Sequence, residues 1–234
     1  MAVDPQQLAG LTSVPELEFT ITDAQAPRDA ATPVIALALS VSADARWDVQ
    51  SLLLDCQIRI APRRRSYPDP DEQVRLRDLF GAPEQWSRSL QGLLWANVPV
   101  AVPRFRGTGL TPLNLPCTYD FEVSHARYAS ALADGVIPLE VLFSGTMFWA
   151  GPDGAQRVAR VPLDREATFD LPVSMWREAM DRHFPHAAWL RMSRDRFARL
   201  QAYRAQRTLP SWDAVLDSLL ADFEADAADP EGAP

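Results

Sequence analysis

The sequence predicts an α+β protein: an antiparallel, β-sandwich-like domain of about seven strands with short helical insertions, followed by about three C-terminal helices. Three observations predict this class. Apolar and polar residues alternate through much of residues 16–170, as they do in half-buried strands. Proline, glycine and aspartate cluster between these segments and indicate turns. From residue 171 the apolar residues instead recur every three or four positions, which is typical of helices.

Three strands are predicted at the start of the β domain. ELEFTIT, VIALALSV and LLLDCQIRI each place large apolar residues on one face; opposite it are Glu18, Thr20 and Thr22 in the first segment and Asp55, Gln57 and Arg59 in the third. The apolar faces comprise Leu17, Phe19 and Ile21; Ile35, Leu37, Leu39 and Val41; and Leu52, Leu54, Cys56, Ile58 and Ile60. Because the connections between these segments are short and polar, we expect an antiparallel meander.

Two helices are predicted after the third strand. Asp69 is placed to cap the first of them, with Pro70 at its first position. Glu72 completes an Asp-x-x-Glu capping box, and Gly81 ends the helix. The segment PEQWSRSLQGLLW has the apolar spacing of a second, short helix.

The strand pattern then returns. VPVAVPRFRGTGLTP is rich in proline and glycine, so we expect an edge strand followed by a loop. LPCTYDFEV predicts a strand, and Ser124 after it predicts the N-cap of a short helix. IPLEVLFSGTMFWA is apolar on both faces, which indicates either a central strand or a barrel-like bend at Gly145. RVARVPL and EATFDL supply two further strands.

The C-terminal part of the chain has helical periodicity. Pro172 falls in the first turn of one helix, and Ser193 and Ser211 cap the next two. The last helix carries an apolar stripe of Trp212, Val215, Leu216, Leu219, Leu220 and Phe223. We therefore divide the chain into a flexible arm (1–14), the β domain (15–171), helices packed on that domain (172–223) and a disordered acidic tail (224–234).

Composition and charge argue against several classes of function. The formal net charge of the 234 residues is −8, whereas a general nucleic-acid binder usually has a basic face and excess positive charge. No apolar run approaches the roughly 20 residues that cross a bilayer, and the N-terminus lacks the features of a signal peptide. All 23 basic residues are arginines, so no lysine is present to act as a nucleophile. We expect a cytoplasmic protein with no nucleic-acid partner and no membrane insertion.

Three consecutive arginines, Arg63, Arg64 and Arg65, stand out in this acidic chain, with Tyr67 close by. As guanidinium donors they are candidates for binding an acidic protein surface or a small anion, which makes all four residues partner-binding candidates. Alternatively, the three acids within Asp69–Glu72 neutralise the arginines locally. The sequence favours local neutralisation and leaves the other interpretation open.

Two cysteines and three histidines are candidates for a ligand or metal site: Cys56, Cys117, His125, His183 and His186. Their spacing matches no metal-binding motif, and Pro185 interrupts the helix between the last two histidines. The competing interpretation is that the cysteines are small buried hydrophobic residues and that the last two histidines lie at a helix end. The sequence therefore predicts no catalytic residue, no metal site and no cofactor.

Four segments carry a family resemblance: LLDCQIRIAPRRRSY, LPCTYDFEV, YASALADGVIPLEVLFSGTMF and LPVSMWREAMDRHFPHAAWLRM. Together they resemble an uncharacterised bacterial family, a domain of unknown function, in the same order from about Glu16 to about Leu220. Genes of this family are often found beside those of uptake nickel–iron hydrogenases. The resemblance implies a hydrogenase-related setting, with a hydrogenase subunit or maturation factor as the partner, and it transfers no catalytic residue.

The sequence lacks the usual catalytic constellations. It contains neither a Gly-x-Ser-x-Gly nucleophile elbow nor a glycine-rich loop placed to hold phosphate at a helix start. We therefore expect a non-enzymatic accessory or assembly protein that docks to a protein partner. The alternative is a small-molecule or metal-binding domain, with or without catalytic activity, that uses the cysteines and histidines.

Overall fold

The computed structural model describes residues 14–118, 120, 123–185 and 192–228, with the side chains of 225–228 excepted. The chain divides into two units, Met1–Trp189 and Leu190–Pro234. Within the described residues, all strands lie in the first unit and the last two helices lie in the second. Nearly all of the predicted N-terminal arm falls outside the described residues.

The strands of the first unit form two antiparallel sheets. Their strands are β1 (Glu18–Gln25), β2 (Val34–Ser42), β3 (Asp48–Ile60), β4 (Leu93–Val102), β5 (Thr108–Pro116), β6 (Val136–Ala150), β7 (Gln156–Arg160) and β8 (Glu166–Pro172). One sheet has the order β1-β2-β5, and the other has the order β4-β3-β6-β7, with β8 also paired to β6. The predicted antiparallel α+β architecture is confirmed, although the described chain has eight strands rather than seven.

The alternation in the sequence identifies the buried faces of the first three strands. Every residue that it assigned to an apolar face there is buried. Phe19 of β1 stacks on Phe143 of β6, with ring centroids 4.4 Å apart, so the two sheets share one apolar core. Removing these faces from water is the main stabilising contribution to such a two-sheet arrangement.

The predicted meander of the first three strands is wrong. β3 leaves the sheet of β1 and β2 and pairs with β4 and β6. The short segment between β2 and β3 thus carries the chain from one sheet to the other. Alternation specifies which face of a strand is buried, but it does not specify which strand becomes its neighbour.

The position of β5 is a second difference. Its residues, predicted in part as a loop, pair with β2 along the whole register from Val34↔Pro116 to Ser42↔Thr108. An edge strand tolerates prolines such as Pro112, because one of its sides needs no hydrogen bonds. The predicted strand LPCTYDFEV overlaps β5 only at its first two residues, and Tyr119 and Phe121 lie outside the described residues.

The helices are α1 (Pro70–Phe80), α2 (Trp86–Ser89), α3 (Ser124–Ala131), α4 (Val173–His183), α5 (Arg194–Gln206) and α6 (Trp212–Ala228). The three predicted C-terminal helices are therefore divided between the units, since α4 belongs to the first and α5 and α6 to the second. Helix α6 continues past the predicted end at Phe223. None of the described helices is long and apolar enough to cross a membrane.

Helix capping follows the sequence only in part. The Asp69 carboxylate accepts a hydrogen bond of 3.0 Å from the Asp71 backbone N–H, and Gly81 (φ 74°) follows the last residue of α1, as predicted. The predicted capping box does not form, because the Glu72 carboxylate turns inward instead. Ser124 is the first residue of α3 rather than its N-cap.

β6 is the central strand of the larger sheet. It pairs with β3 along its length, with β8 along Val136–Leu142 and with β7 along Thr146–Ala150. Gly145, with φ 143°, lies where one partner replaces the other. Of the two predicted alternatives for this segment, the central strand is confirmed.

Candidate docking surface

Helices α5 and α6 of the second unit contact each other through polar side chains. The Tyr203 and Ser218 hydroxyl groups lie 2.8 Å apart, and an Arg207 guanidinium nitrogen lies 3.3 Å from an Asp222 carboxylate oxygen. Val215, on the same side of α6, is fully buried. These contacts define which side of α6 faces α5.

A row of large apolar side chains on α6 is exposed to solvent. The exposed fractions are 44 % for Leu216, 37 % for Leu219, 57 % for Leu220 and 69 % for Phe223. These four residues, spaced three or four apart, form one row on the helix, which we name the docking stripe. Trp212 also belongs to the predicted stripe, but its ring packs on Phe197 at a centroid distance of 5.2 Å.

Acidic residues border the docking stripe. At about 100° per residue, Asp213, Asp217 and Glu224 fall in one row beside it, on the side away from α5. All three are exposed, and no basic residue occurs between Trp212 and Ala228. Neither Asp213 nor Asp217 forms an ion pair within the described residues. The surface therefore combines an apolar row with negative charge.

The arginine triplet contacts the body of the first unit. Arg63 donates through Nε to the Leu90 carbonyl oxygen at 2.7 Å. Arg64 donates to the Leu139 carbonyl oxygen at 2.9 Å and pairs with the Asp170 carboxylate at 3.1 Å. Both side chains thus hold neighbouring segments together, and their role as partner-binding residues stays a prediction.

Arg65 is the most deeply placed of the three arginines. It donates to the Val136 carbonyl oxygen at 2.8 Å and to the Glu72 carboxylate, also at 2.8 Å. The same carboxylate accepts a hydrogen bond from the Ala133 N–H at 3.0 Å. Glu72 is 2 % exposed, so this is a buried ion pair that fastens the start of α1 to the segment before β6.

Tyr67 is likewise buried. Its hydroxyl group donates to the Pro62 carbonyl oxygen at 2.9 Å and lies 2.8 Å from the Tyr128 hydroxyl oxygen. Burial raises the pKa of Tyr67 to about 12. Tyr67 therefore packs inside the unit as a neutral group, and its predicted contact with a partner is not tested by this arrangement.

The two cysteines are buried in different sheets. Cys56 lies on β3, and Cys117 directly follows β5. Burial raises the pKa of both thiols to about 12, so they remain protonated and unreactive. Across the described part of the chain, no group of three or more histidine, cysteine, aspartate or glutamate residues is arranged to hold a metal ion.

His125 is buried at the start of α3. Its ring stacks on Trp95 at a centroid distance of 5.1 Å, and neither ring nitrogen has a hydrogen-bond partner among the described residues. Burial lowers the pKa of His125 to about 4, because the charged imidazolium would lose its hydration there.

Acidification should therefore destabilise the first unit through His125. Between its ordinary pKa of 6.5 and about 4, the unfolded chain binds a proton that the folded chain does not, so stability falls as the pH falls. A His125→Phe variant, which keeps an aromatic ring against Trp95, should lose less stability on entering this window, by on the order of 1 kcal/mol. Urea unfolding of both proteins above and inside the window checks this; equal losses would contradict it.

His183 is the last residue of α4, as predicted, and both of its ring nitrogens contact backbone carbonyl oxygens. Its Nδ1 lies 2.9 Å from the Ala179 carbonyl oxygen, and its Nε2 lies 2.9 Å from the Ala30 carbonyl oxygen. The ring therefore connects α4 to the segment before β2. His186 lies outside the described residues, so its candidacy as a ligand residue beside His183 is not tested.

Three comparisons place the chain among known proteins. The sequence profile of a family of unknown function (DUF6084) matches residues 14–228. No curated protein matches the chain significantly. Two solved structures of a beta-glucosidase from Kluyveromyces marxianus, one labelled with selenomethionine and one in complex with glucose, are each 11 % identical to it. The match covers 67 % of this chain but 15 % of theirs, with a TM-score of 0.24, and it carries no argument about fold or function.

Proposed function

The chain belongs to the DUF6084 family, whose function is unknown, and from that premise we propose that it is a non-enzymatic accessory protein that docks to a protein partner. The observation that supports this proposal is the docking stripe on α6. Single exposed apolar residues are common on any protein, whereas a contiguous exposed row is typical of an interaction site.

The partner segment that fits this surface is an amphipathic helix with basic residues beside its apolar face. A helix laid along α6 would cover the stripe with its own apolar row. Its basic residues would lie near Asp213, Asp217 and Glu224, which have the complementary charge. The stripe side chains are 37–69 % exposed, so covering them contributes about 1 kcal/mol per residue, which favours weak and reversible docking.

We further propose that the partner is a hydrogenase subunit or maturation factor. This part of the proposal rests on the family resemblance and its gene setting. A reversible docking surface is suited to assembly, since an accessory protein has to release its partner afterwards. The stripe does not depend on this setting, and the two parts of the proposal are tested separately.

A stripe variant, Leu216→Gln/Leu220→Gln/Phe223→Gln, should lose the partner while remaining folded. These side chains are exposed, so the unfolding midpoint should change little. The tagged full chain and the variant would be used to capture proteins from the native host, with identification by mass spectrometry. The expected result is at least a tenfold lower recovery of hydrogenase-related proteins by the variant.

A matched control replaces exposed apolar residues elsewhere, as in Leu110→Gln/Val158→Gln, and should retain the partner. Equal recovery by the stripe variant and the control would rule out the stripe as the docking surface. A marked fall in the unfolding midpoint of the stripe variant would show that the stripe packs within the native chain. If the intact chain recovers only proteins unrelated to hydrogenases, the setting is wrong.

A further inference from the structure

Three loops of the first unit meet at one end of the two sheets. They are residues 43–47 between β2 and β3, 103–107 between β4 and β5, and 151–155 between β6 and β7. The Ala43 N–H donates to the Gly107 carbonyl oxygen at 2.8 Å, which joins the first two loops. The loops border a cavity of about 520 Å³, lined by Arg46, Trp47, Asp48, Arg106, Ala150, Gly151, Pro152 and Gly154.

The backbone at this end points two arginines in one direction. Phe105 exchanges backbone hydrogen bonds of 2.9 and 3.1 Å with Val49, and its ring is buried. Because successive side chains of an extended segment point to opposite sides, Arg104 and Arg106 both point away from the core. Gly109 leaves the space that the Phe105 ring occupies, since a β-carbon there would lie 2.8 Å from the ring.

Asp48 holds both guanidinium groups. Arg104 donates to both carboxylate oxygens of Asp48, with Nε to Oδ1 at 2.8 Å, and Arg106 donates to Oδ2 at 3.1 Å. These hydrogen bonds lower the pKa of Asp48 to about 2, so the carboxylate is ionised throughout the neutral range. The two side chains are 67 % and 63 % exposed, yet a largely buried carboxylate fixes their position.

Asp48 leaves further donors of this pair facing solvent. Arg104 gives Asp48 two of its five N–H donors and Arg106 gives one of its five, and because both side chains are exposed, the other donors are accessible to a ligand. Arg46 adds a third guanidinium at the cavity, 5.1 Å above the Trp47 ring. Its pair with Asp44, at 3.5 Å, is solvent-exposed and weak.

The local charge is opposite to that of the whole chain. With the Asp153–Arg157 ion pair of the third loop included, four arginines and three aspartates leave one excess positive charge here, whereas the formal net charge of the chain is −8. The positive excess and the accessible guanidinium donors at the cavity favour an oxyanion as the ligand. Arg46 and Arg106 are two separate guanidinium groups that line the cavity, and a tetrahedral group, which has more oxygens than a carboxylate, can accept hydrogen bonds from both at once.

We propose that this cavity binds the phosphate group of a small phosphorylated ligand, with Arg106 and Arg46, which line the cavity, holding the phosphate. Asp48 is a positioning residue that fixes the Arg106 guanidinium, and Arg104 is bonded to the same carboxylate. The volume of about 520 Å³ leaves room for the rest of a small organic molecule beside the phosphate. The site lies in the first unit and does not rest on the docking stripe.

The test is a titration of the full chain with inorganic phosphate at constant ionic strength, followed by calorimetry and by the thermal unfolding midpoint. We expect saturable binding that raises the midpoint, since the ligand binds the folded state. Arg106→Gln should weaken the binding at least tenfold, because charged hydrogen bonds are lost. Its fold should persist, since Arg104 still pairs with Asp48. Arg77→Gln, which removes one exposed positive charge on α1, is the matched control and should bind as the wild type does.

Three results would overturn the proposal. One is the absence of saturable binding of inorganic phosphate to the wild-type chain at millimolar concentrations. Another is an Arg106→Gln variant that binds phosphate as tightly as the Arg77→Gln control. The third is acetate binding as tightly as phosphate, which would assign the site to carboxylates instead.

Discussion

A Gly145→Ala variant should be the most destabilising single-methyl change in the first unit. Gly145 has φ 143°, a conformation that residues with a β-carbon rarely adopt. An added β-carbon would collide with the Leu53 carbonyl oxygen and lie 2.9 Å from the Leu54 α-carbon. Because these atoms belong to the backbone of β3, the collision cannot be relieved by a rotamer change. We expect a loss of about 3 kcal/mol or more, from backbone strain and overpacking together.

Urea unfolding of the variant would measure this loss. The matched control is Gly107→Ala, where the backbone also has a positive φ of 72° but a β-carbon would meet no atom within 4 Å. That control should lose only about 1 kcal/mol, from the left-handed conformation alone. If the two variants lost the same unfolding free energy, the close approach of β3 and β6 at Gly145 would not contribute to stability as proposed.

An Arg65→Met variant should lose about 3 to 5 kcal/mol of folding free energy. The methionine fills similar space, but it leaves the Glu72 carboxylate buried with the Ala133 N–H as its remaining partner. The Val136 carbonyl oxygen also loses the Arg65 donor. An unpaired charge that is 2 % exposed is among the costliest defects a core can carry.

A double-mutant cycle with Glu72→Gln separates the ion pair from the packing. The double variant should be less destabilised than the sum of the two single changes, because it removes both charges together. Arg63→Met, whose side chain is exposed and bonded to backbone carbonyls, should cost less than about 1 kcal/mol. Additive single effects, or an Arg63→Met loss as large as that of Arg65→Met, would contradict this account.

The ion pairs of the arginine triplet agree only in part with the predicted local neutralisation. Three acids follow the arginines within seven residues of Arg65, and one of them, Glu72, pairs with Arg65. Arg64 instead pairs with Asp170, which is distant in the chain. Partner binding by the triplet is therefore best tested with Arg63→Gln and Arg64→Gln, since replacing Arg65 would change folding as well.

The sequence predicts which face of each strand is buried, but it does not predict which strands pair with each other. The burial of Leu17, Phe19 and Ile21 follows from local alternation, and the cap at Asp69 follows from local spacing. The pairing of β3 with β6 depends on contacts between distant segments, which no local pattern specifies. The predicted capping box does not form, because Glu72 instead binds the nearby Arg65 and the backbone N–H of the distant Ala133.

The two candidate sites differ in how far the sequence predicts them. The docking stripe is evident as a helical pattern, but the same periodicity serves a buried face, so exposure has to be seen in the structure. The sequence does not predict the cluster of Asp48 with Arg104 and Arg106 at the cavity, because Asp48 lies far from both arginines in the chain. The one local signal was the Arg-Phe-Arg order in a glycine-rich loop, which alternates two charges around a buried ring.

The pairing of β3 with β6 has a consequence for synthesis of the protein. The paired residues run from Ile60↔Leu139 to Asp48↔Ala150, so the partners are roughly 80 to 100 residues apart in the chain. On the ribosome, the apolar β3 emerges long before β6. Until β6 is synthesised, the backbone N–H and C=O groups of β3 that pair with β6 in the native fold have no partner. A strand with unpaired backbone groups can form hydrogen bonds with strands of other nascent chains and so aggregate. The yield of native protein should therefore depend on how quickly the segment up to Ala150 is completed and released.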